Sequence, residues 1–324
     1  MQLTQQLLHE REDYIYDVIV IGGGSGGLSA GVYLQRYLLN SLIIDKGKAR
    51  SFWIQALHNY LGLPSDTPGR ELLKQGKAHY LSIGGDLLNG YVEAVADEGT
   101  VFSVRTKVGR NQSIYHTFQA KYIIAASGII DHLPQLENMQ NVYNFAGYNL
   151  HVCLLCDGYE MQNQQVGVFC ASQSSLEVVS PLSWFTPHIT LFTNGQFKVL
   201  SEQKQAFSKQ GIPVIETPIR KFLGVQHQMT GVELTDDTVI QLDSGLIAMG
   251  AHRHAEYLQG LDLECKNENL ITDSSMRTSH ARIFAVGDLK VGMNQVIVAA
   301  SDGAIAATQI WRDIRSREGS RPKS

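Results

Sequence analysis

Short, mostly apolar runs that end at glycine or at a cluster of small residues recur along the chain. They lie at residues 18–21, 166–169 and 283–286, and the first of them leads into the glycine-rich segment GGGSGG. Continuous apolar runs of this length, bounded by turn residues, are typical of strands that are buried on both faces of a sheet. The pattern therefore predicts an α/β fold built on parallel strands.

The segments around these strands alternate between helical and extended patterns. A helix of small residues is expected over 30–35, a second strand over 41–45, and another small-residue helix from about residue 294. In the middle of the chain a further strand is expected over 188–193. Strands that alternate with helices in this way indicate βαβ units.

Length and charge narrow the setting. At 324 residues the chain is too long for one small core and suits two domains of ordinary size. Its formal net charge of −4 gives no sign of a nucleic-acid partner. No signal peptide and no run of about 18 uncharged apolar residues is visible, so we expect no membrane partner and a cytoplasmic, reducing location. Leu3, Leu7 and Leu8 have helical spacing and predict a short N-terminal helix.

The glycines after the first strand have a spacing that suits a nucleotide. Gly22, Gly24 and Gly27 stand at G-x-G-x-x-G spacing between a strand and a helix. One glycine permits the tight turn, one lets backbone N–H groups approach a pyrophosphate, and one lets helix and strand pack closely. The second strand ends at Asp45, where an acid in such a site hydrogen-bonds a ribose hydroxyl. The segment predicts a dinucleotide site.

Two of the four cysteines, Cys153 and Cys156, stand three positions apart. In a reducing compartment such a pair indicates redox or metal chemistry rather than a structural disulfide. A zinc site needs a second pair of ligands, but Cys170 and Cys265 are isolated, and His151 completes no known zinc pattern. We therefore expect a redox pair and no metal, with Cys170 and Cys265 as small buried apolar residues.

Three segments together resemble one flavoprotein family. They are the strand, Gly-Asp pair and helix within ARIFAVGDLKVGMNQVIVAA, the segment YIIAASGIIDHLP, and the C-x-x-C-D sequence of residues 153–157. All three are similar to segments of the low-molecular-weight thioredoxin reductases. The resemblance spans residues 17 to about 312 and implies two dinucleotide-binding, Rossmann-like domains.

The resemblance also implies how the domains follow one another along the chain. A discontinuous FAD domain, residues 1–130 and 247–324, surrounds an inserted domain, residues 131–246, which is similar to the family's NADPH domain. Pro134 marks the first boundary independently, because proline bars a continuing helix or central strand.

A set of residues is implied to bind FAD. Asp288 matches the family residue that binds the ribityl and pyrophosphate part, and Gln295 matches its glutamine beside the flavin ring. Asn294 replaces the family's arginine, Val296 its alanine and Ser127 its threonine. The residues expected at FAD are Gly22, Gly24, Ser25, Gly26, Gly27, Asp45, Lys46, Ser127, Gly128, Gly287, Asp288, Asn294, Gln295 and Val296.

The cysteine pair takes its roles from the same resemblance. Cys156 is implied to face the flavin, Cys153 to exchange with an outside sulfur, and Asp157 to act as acid or base for the thiol proton. Two intervening residues permit a small ring on a helix N-terminus, where the thiolate that exchange requires is stabilised. A thioredoxin-like protein or a small dithiol or disulfide is the expected substrate, and a homodimer is the expected assembly.

The middle domain lacks the residues expected for NADPH. The turn after its first strand carries side chains, at Cys170, Ser172 and Ser175, where the family's G-x-G-x-x-A needs bare backbone. After the second strand the reductases carry a histidine and two arginines for the 2′-phosphate, and this chain has none at 193–195. Losing two charged hydrogen bonds costs roughly 3–6 kcal/mol, about a hundredfold to ten-thousandfold in affinity. NADPH is therefore not an expected cofactor.

Electrons must then come from, or go to, another molecule, and the resemblance leaves three branches open. A diflavin-linked disulfide oxidoreductase holds a second FAD, for which Phe52 and Trp53 offer flat platforms, although core or dimer aromatics are the alternative. A ferredoxin-dependent reductase takes electrons from an iron–sulfur protein, and a dithiol oxidase passes them to oxygen. A flavin-binding redox sensor is the non-enzymatic alternative. We favour the diflavin branch.

Two further features have more than one interpretation. His58 is either a proton carrier near the disulfide or a structural histidine. The cationic run at His252, Arg253 and His254 either faces a phosphate or an acidic partner or is a solvated loop. The sequence alone favours a structural histidine at position 58 and a solvated loop at 252–254.

Overall fold

The computed structural model describes residue 11 and residues 14–47, 49–109 and 114–318. These residues form two compact units. The first comprises the described residues up to Ile130 together with those from Arg253 onward, and the second comprises Asp131–His252. The N-terminal helix expected at Leu3, Leu7 and Leu8 lies outside the described residues.

In the part of the first unit that the structure describes, a mixed sheet is accompanied by the three helices whose bounds follow. The helices are α1 (Ser25–Arg36), α2 (Gly69–Ser82) and α7 (Val296–Glu318). Three short 3-10 turns accompany them, at Arg50–Trp53, Glu256–Leu258 and Gly287–Leu289. The strands of its main sheet are β1 (Ile15–Ile21), β2 (Ser41–Asp45), β3 (Asp86–Asp97), β4 (Phe102–Val108), β5 (Ile114–Ala125) and β18 (Ile283–Ala285).

The sheet of the first unit has a parallel part and an antiparallel part. In the parallel part β1 lies between β2 and β5, β3 follows β2, and β18 follows β5. The two longest strands, β3 and β5, continue beyond this part and pair with β4 in antiparallel fashion. Parallel strands of this kind direct their carboxyl ends to one edge, where ligands bind in open α/β sheets.

The apolar run of β1 is continuous because both of its faces are covered. Val18 and Val20 join a core with Leu34 of α1 and Ile310 of α7. Ile19, the residue between them, joins a second core on the opposite face of the sheet. A strand buried on both sides has no polar face to alternate with, which is why the sequence pattern is uniform.

The second unit has its own parallel sheet, an antiparallel sheet and short helices. The strands of the parallel sheet are β7 (Leu150–His151), β8 (Val166–Cys170), β9 (Ile189–Phe192), β10 (Val214–Ile215) and β14 (Ser244–Ala248), and their order in the sheet is β10, β9, β8, β14, β7. The strands of the antiparallel sheet are β11 (Ile219–Val225), β12 (Gln228–Leu234) and β13 (Val239–Gln241). The helices are α3 (Met139–Tyr143), α4 (Leu154–Asp157), α5 (Val179–Leu182) and α6 (Ser201–Lys209).

Four short strands complete the fold. β6 (Ile129–Asp131) pairs with β15 (Ala251–Arg253), and β16 (Cys265–Lys266) pairs with β17 (Asn269–Leu270). The chain was expected to return to the first domain at residue 247, but residues 247 and 248 complete β14, and the return falls at Arg253. The predicted α/β fold is confirmed. In the described ranges no helix combines the length and the apolar content that crossing a bilayer requires.

Candidate active site

Cys153 and Cys156 are joined in a disulfide whose Cα atoms lie 5.3 Å apart. The ring is closed by local hydrogen bonds: the Cys156 N–H donates to Sγ of Cys153 at 3.2 Å, and the Asp157 N–H donates to the Cys153 carbonyl at 3.1 Å. The helix that follows, α4, is a single turn of 4 residues. A helix this short has a small dipole, so the donor available to a thiolate at Cys153 is the nearby Cys156 N–H rather than a long helix.

The two sulfurs stand at a partly exposed position. Cys153, Cys156 and Asp157 are all half-buried, and Leu155 and Tyr159 beside them are exposed. Gly158 is required here because a Cβ would lie 2.7 Å from the ring of Phe185. The close approach of Phe185 restrains the turn at Gly158, while both cysteines remain partly exposed to solvent.

His151 also belongs to this turn, although its sequence position indicated no role beyond an incomplete zinc pattern. Its Nδ1 lies 3.1 Å from Oδ2 of Asp157, and the two side chains are 11% and 22% exposed. His151 ends β7 two residues before the disulfide, and Asp157 follows the disulfide directly. Its position two residues before the C-x-x-C-D sequence could have indicated a role at the disulfide. The contact with Asp157 could not be predicted, because it depends on how the turn folds.

The glycine turn of the first unit has the geometry that its spacing predicts. Gly22 has φ +113°, and a Cβ at Gly27 would lie 1.9 Å from the Gly22 carbonyl oxygen. At Gly24 the nearest neighbour of a Cβ would be Ala49 at 3.8 Å. Gly22 and Gly27 are therefore required by the backbone, whereas Gly24 leaves open space at the N-terminus of α1, where a phosphate binds. Ser25 and Gly26 form the first turn of that helix.

Asp45 ends β2 beside the glycine turn. It is buried, and a Cβ at Gly23 would lie 2.6 Å from its carboxyl carbon. The Gly47 N–H donates to Oδ1 at 3.1 Å, and Lys77 of α2 lies 2.7 Å from Oδ2. Lys46, the next residue of the chain, is exposed. Lys77 was not expected at the site, because nothing near it in the sequence marks it.

A second loop meets the glycine turn from the other end of the chain. Gly287 has φ +70°, and its N–H donates to Oδ2 of Asp302 at 3.1 Å. Lys290 lies 3.2 Å from the same carboxylate, and both side chains are buried. Asp288 lies 3.1 Å from Nη1 of Arg50. Asp302, Lys290 and Arg50 are additions to the residues that the sequence indicated.

The residues expected beside the flavin ring stand just before or at the start of α7. Asn294 and Gln295 precede the helix, and Val296 is its first residue. Asn59 donates to Oε1 of Gln295 at 2.8 Å, and the Ala299 N–H donates to the Gln295 carbonyl at 2.9 Å. The side chain of Gln295 is therefore held in one orientation at the helix N-terminus.

Ser127 and Gly128 follow β5 at the same edge of the sheet. The Ser127 hydroxyl donates to the His254 carbonyl at 2.5 Å and lies 2.9 Å from the hydroxyl of Tyr257. Gly128 has φ +65°. Burial raises the pKa of Tyr257, so that its hydroxyl stays protonated. These contacts of Ser127 connect the end of β5 to the segment that returns from the second unit.

The residues present fit FAD in the first unit. The open space at Gly24, the buried carboxylate of Asp45 and the Gly287–Asp288 loop are the features that a dinucleotide with a ribityl chain requires. All three belong to the first unit, and they lie at the carboxyl ends of β1, β2 and β18 or in the loops after them. All the residues that the sequence analysis predicted at FAD lie in the first unit.

The corresponding turn of the second unit is different. After β8 the chain forms a 3-10 turn at Gln173–Val178 and only then α5, of 4 residues. The Ser172 hydroxyl lies 2.9 Å from that of Ser174 and 3.2 Å from that of Ser175. The serine hydroxyls contact one another, and the long helix that would direct N–H groups at a pyrophosphate is replaced by two short ones.

The end of β9 also differs from a 2′-phosphate site. Asn194 has φ +49°, and its Oδ1 accepts from the Ile219 N–H at 2.7 Å, so it is a structural turn residue. Lys198 and Lys204 lie 3.3 Å and 2.8 Å from Oε2 of Glu216. Both cations are thus paired with an internal carboxylate.

The two remaining cysteines differ from each other. Cys170 is buried in β8, and burial raises the pKa of its thiol to about 12. Cys265 is exposed, so its prediction as a buried residue was wrong. The reason is that it lies on β16, a strand of two residues whose burial pattern is exposed at both positions.

Other predicted side chains are at the surface. Phe52 and Trp53 are 41% and 52% exposed and meet edge to face at 5.6 Å, which excludes them from the core. His58 is also exposed. In the run after Gly250, Nε of Arg253 donates to Asn269 at 2.9 Å, and Nδ1 of His254 lies 3.0 Å from Oε2 of Glu256. These contacts favour a structural role for Arg253 and His254.

Comparisons with known proteins agree with this geometry. A family model described as pyridine nucleotide-disulphide oxidoreductase matches residues 16–303. A thioredoxin reductase of Aquifex aeolicus (strain VF5) is 26% identical over 317 residues, which cover 94% of each chain. The crystal structure of HlmI superposes with a TM-score of 0.83 at 25% identity and 94% coverage of both chains. An oxidoreductase from Agrobacterium tumefaciens has a TM-score of 0.75 at 28% identity, covering 93% of this chain and 98% of that one.

Proposed function

The chain belongs to the pyridine nucleotide-disulphide oxidoreductase family and is an FAD-dependent disulfide oxidoreductase, and we propose that it passes electrons between FAD and the Cys153–Cys156 disulfide without NADPH. The observation that carries this proposal is the disulfide itself, which spans two residues, is half-buried and is followed directly by an acid. Redox disulfides of this kind are partly accessible to a partner, unlike structural ones.

The first unit holds the cofactor in this proposal. FAD supplies a group that takes up or releases two electrons, which matches the two electrons of one disulfide. Gly24 and the first turn of α1 bind the pyrophosphate, and Asp45 binds the adenosine ribose. Asp288, positioned by Arg50, binds the ribityl chain. Gln295, held by Asn59, orients the ring.

The disulfide turn carries out the sulfur chemistry. The Cys153 thiolate attacks one sulfur of a disulfide substrate, or in the reverse direction is released by it. Asp157 removes and returns the thiol proton. Cys156 is the sulfur that exchanges electrons with the cofactor. The exposure of Leu155 and Tyr159 supports a substrate as large as a thioredoxin-like protein, which is the partner that we propose, with a small dithiol as the alternative.

NADPH independence is supported by the second unit. Its glycine turn is replaced by serines that contact one another, and its lysines near the end of β9 are paired with Glu216. An NADPH phosphate would have to displace these partners without gaining a long helix N-terminus. Electrons therefore come from another donor, either a ferredoxin-type protein or a dithiol, or leave to oxygen.

A second FAD is the finer part of the proposal. Phe52 and Trp53 present exposed aromatic surface next to Arg50, which contacts Asp288 of the first FAD site. Aromatic rings stack readily on flat ligands. We further propose a homodimer, on the ground of the resemblance to the reductases, and a cytoplasmic location, which the exposed, unpaired thiol of Cys265 supports.

Flavin release and cysteine variants test the proposal together. Denaturing the purified protein should release two equivalents of FAD per chain, and one equivalent would remove the second-flavin part alone. In anaerobic solution a dithiol should bleach the flavin of the wild type and of Cys265→Ser, the matched control at an exposed unpaired cysteine. Cys156→Ser should lose this reaction. Wild-type bleaching in Cys156→Ser would remove the disulfide from the electron path.

A further inference from the structure

His151 and Asp157 lie on opposite sides of the disulfide in sequence and meet in space. Nδ1 of His151 is 3.1 Å from Oδ2 of Asp157, and both side chains are mostly buried. The sequence between them contains both sulfurs of the redox pair. The disulfide turn therefore has a carboxylate and an imidazole in contact at its base.

The backbone fixes both members of this pair. β7 runs parallel to β14, with His151 beside Leu246 and Leu150 beside Gly245. At the other end, the Asp157 N–H donates to the Cys153 carbonyl at 3.1 Å, and the Gly158 N–H donates to the Leu154 carbonyl at 2.8 Å. Because both residues belong to hydrogen-bonded elements, their contact is part of the fold of the turn and does not depend on a substrate.

We propose that His151 is a positioning residue for Asp157, and that the two side chains together hold the proton that the Cys153–Cys156 dithiol gives up during exchange. The inference rests on the proposed function, since it gives that site its proton carrier. An isolated carboxylate is a weak acceptor at neutral pH. A carboxylate in contact with an imidazole can share the proton with that ring, so neither group has to hold the proton alone.

The exchange balances with this proton carrier. The Cys153 thiol gives its proton to the pair, and the resulting thiolate forms a bond to one substrate sulfur while the substrate S–S bond breaks. The leaving thiolate takes the proton from the pair. Cys156 then attacks Sγ of Cys153, the bond between Cys153 and the substrate breaks, and the proton of Cys156 goes to the substrate sulfur that is released. Two electrons and two protons have passed from the protein dithiol to the substrate disulfide.

The net charge of the His151–Asp157 pair should determine how readily the Cys153 thiol ionises to the thiolate. With a protonated imidazole the pair has no net charge, and with a neutral imidazole it carries one negative charge. Less negative charge near a thiol favours its thiolate. The neighbouring strand β14 offers only Gly245 and Leu246 to β7, neither of which titrates, and the next acid along the turn is Glu160, whose N–H donates to the Asp157 carbonyl at 3.2 Å.

The test measures Cys153 alkylation in the reduced protein, which does not depend on flavin turnover. Iodoacetamide is applied across the pH range, and modification of Cys153 is quantified by peptide mass spectrometry. His151→Asn keeps an amide near Asp157 but cannot carry a proton charge. Near pH 6 the wild type should react roughly threefold to tenfold faster than His151→Asn, and the two should agree near pH 9.

Two further variants distinguish an effect of the His151–Asp157 contact from a general effect of replacing a histidine in this unit. His188→Asn changes an exposed histidine of the same unit and should match the wild type at every pH. Asp157→Asn removes the negative charge of the pair, so by the same argument it should react at least as fast as the wild type near pH 6. Because the imidazole then has no carboxylate to hold it in place, adding His151→Asn to Asp157→Asn should change the rate less than His151→Asn does alone. Superimposable profiles of wild type and His151→Asn, an equal change in His188→Asn, or additive effects of the two site variants would each overturn the inference.

The alkylation experiment and the flavin-bleaching experiment can fail separately. If Cys156→Ser abolishes dithiol-driven bleaching while His151→Asn leaves Cys153 alkylation unchanged, the electron path stands and the proton carrier is wrong. If His151→Asn changes the profile while Cys156→Ser bleaches normally, the pair is real but serves a disulfide outside the electron path.

Discussion

Gly24 and Gly27 stand three positions apart in one turn, yet a methyl group should have different consequences at the two sites. At Gly27 a Cβ would lie 1.9 Å from the Gly22 carbonyl oxygen, so the strand and helix would have to separate. At Gly24 the nearest protein atom would be 3.8 Å away. The first glycine is kept open for a ligand, and the second is required by the fold.

Alanine substitutions distinguish the two cases. Gly27→Ala should destabilise the protein by about 1–3 kcal/mol, as overpacking does. Gly24→Ala should leave the unfolding free energy of the apoprotein within about 0.5 kcal/mol of the wild type but weaken FAD binding by about tenfold to a hundredfold. Urea unfolding and fluorescence titration with FAD measure the two effects. Unchanged FAD affinity in Gly24→Ala would show that the phosphates bind elsewhere.

At the residue scale, the sequence indicated the glycines, the acids and the cysteine pair but not their partners. Spacing rules apply to residues that are close along the chain, such as Gly22 and Gly27. Arg50 and Asp288 meet across 238 positions, and Lys77 and Asp45 across 32, so no local pattern marks them. The exposure of Cys265 was missed because a two-residue strand carries too little pattern to show which face it presents.

At the element scale, strands that are buried on both faces were the most predictable. β2 was expected over 41–45 and occupies Ser41–Asp45, and β8 was expected over 166–169 and occupies Val166–Cys170. The elements after β8 were less predictable. A second Rossmann layout was expected there, but the chain forms a 3-10 turn and then α5, which contains Pro181, and proline limits helix length.

Glu216 joins three elements of the second unit. It follows β10, its Oε1 accepts from the Val199 N–H at 2.8 Å, and Lys204 of α6 lies 2.8 Å from Oε2. The hydrogen bond from Lys204, followed by those from the Val199 N–H and Lys198, lowers the pKa of Glu216 from its ordinary 4.5 to about 2. The carboxylate therefore holds α6 and the preceding loop against the edge of the sheet.

The lowered pKa gives a pH dependence with a definite sign. A carboxyl group whose pKa is lower in the folded state stabilises that state fully above about pH 4.5, and the contribution is lost as pH falls toward 2. Glu216→Gln should lower the unfolding free energy on the order of 1 kcal/mol at neutral pH and converge on the wild type in acid. Urea unfolding from pH 7 to pH 3 measures the difference.

The control for this prediction lies on α6, the helix that carries Lys204. Glu202 of α6 is exposed, and Glu202→Gln should follow the wild type at every pH. A constant difference between wild type and Glu216→Gln across the range would show that Glu216 acts by packing rather than by charge.

At the scale of the whole molecule, the chain carries two units of related architecture with different chemistry. The first has the glycine turn, the buried Asp45 and the Gly287–Asp288 loop that we propose bind FAD, while the second keeps the parallel sheet and places a disulfide turn after β7. The resemblance to the reductases implied an inserted unit, and Asp131–His252 do form a unit between the two segments of the first. The residue at which the chain returns was not predicted, because β14 continues past the expected point before β15 begins.

The central claim is that electrons pass between FAD and the Cys153–Cys156 pair and do not come from NADPH. Anaerobic titration of the oxidised protein, following the visible absorption of the flavin, tests it most directly. A dithiol should bleach the flavin of the wild type but not of Cys156→Ser, and a stoichiometric amount of NADPH should leave both spectra unchanged. Rapid bleaching of the wild type by stoichiometric NADPH would contradict the account.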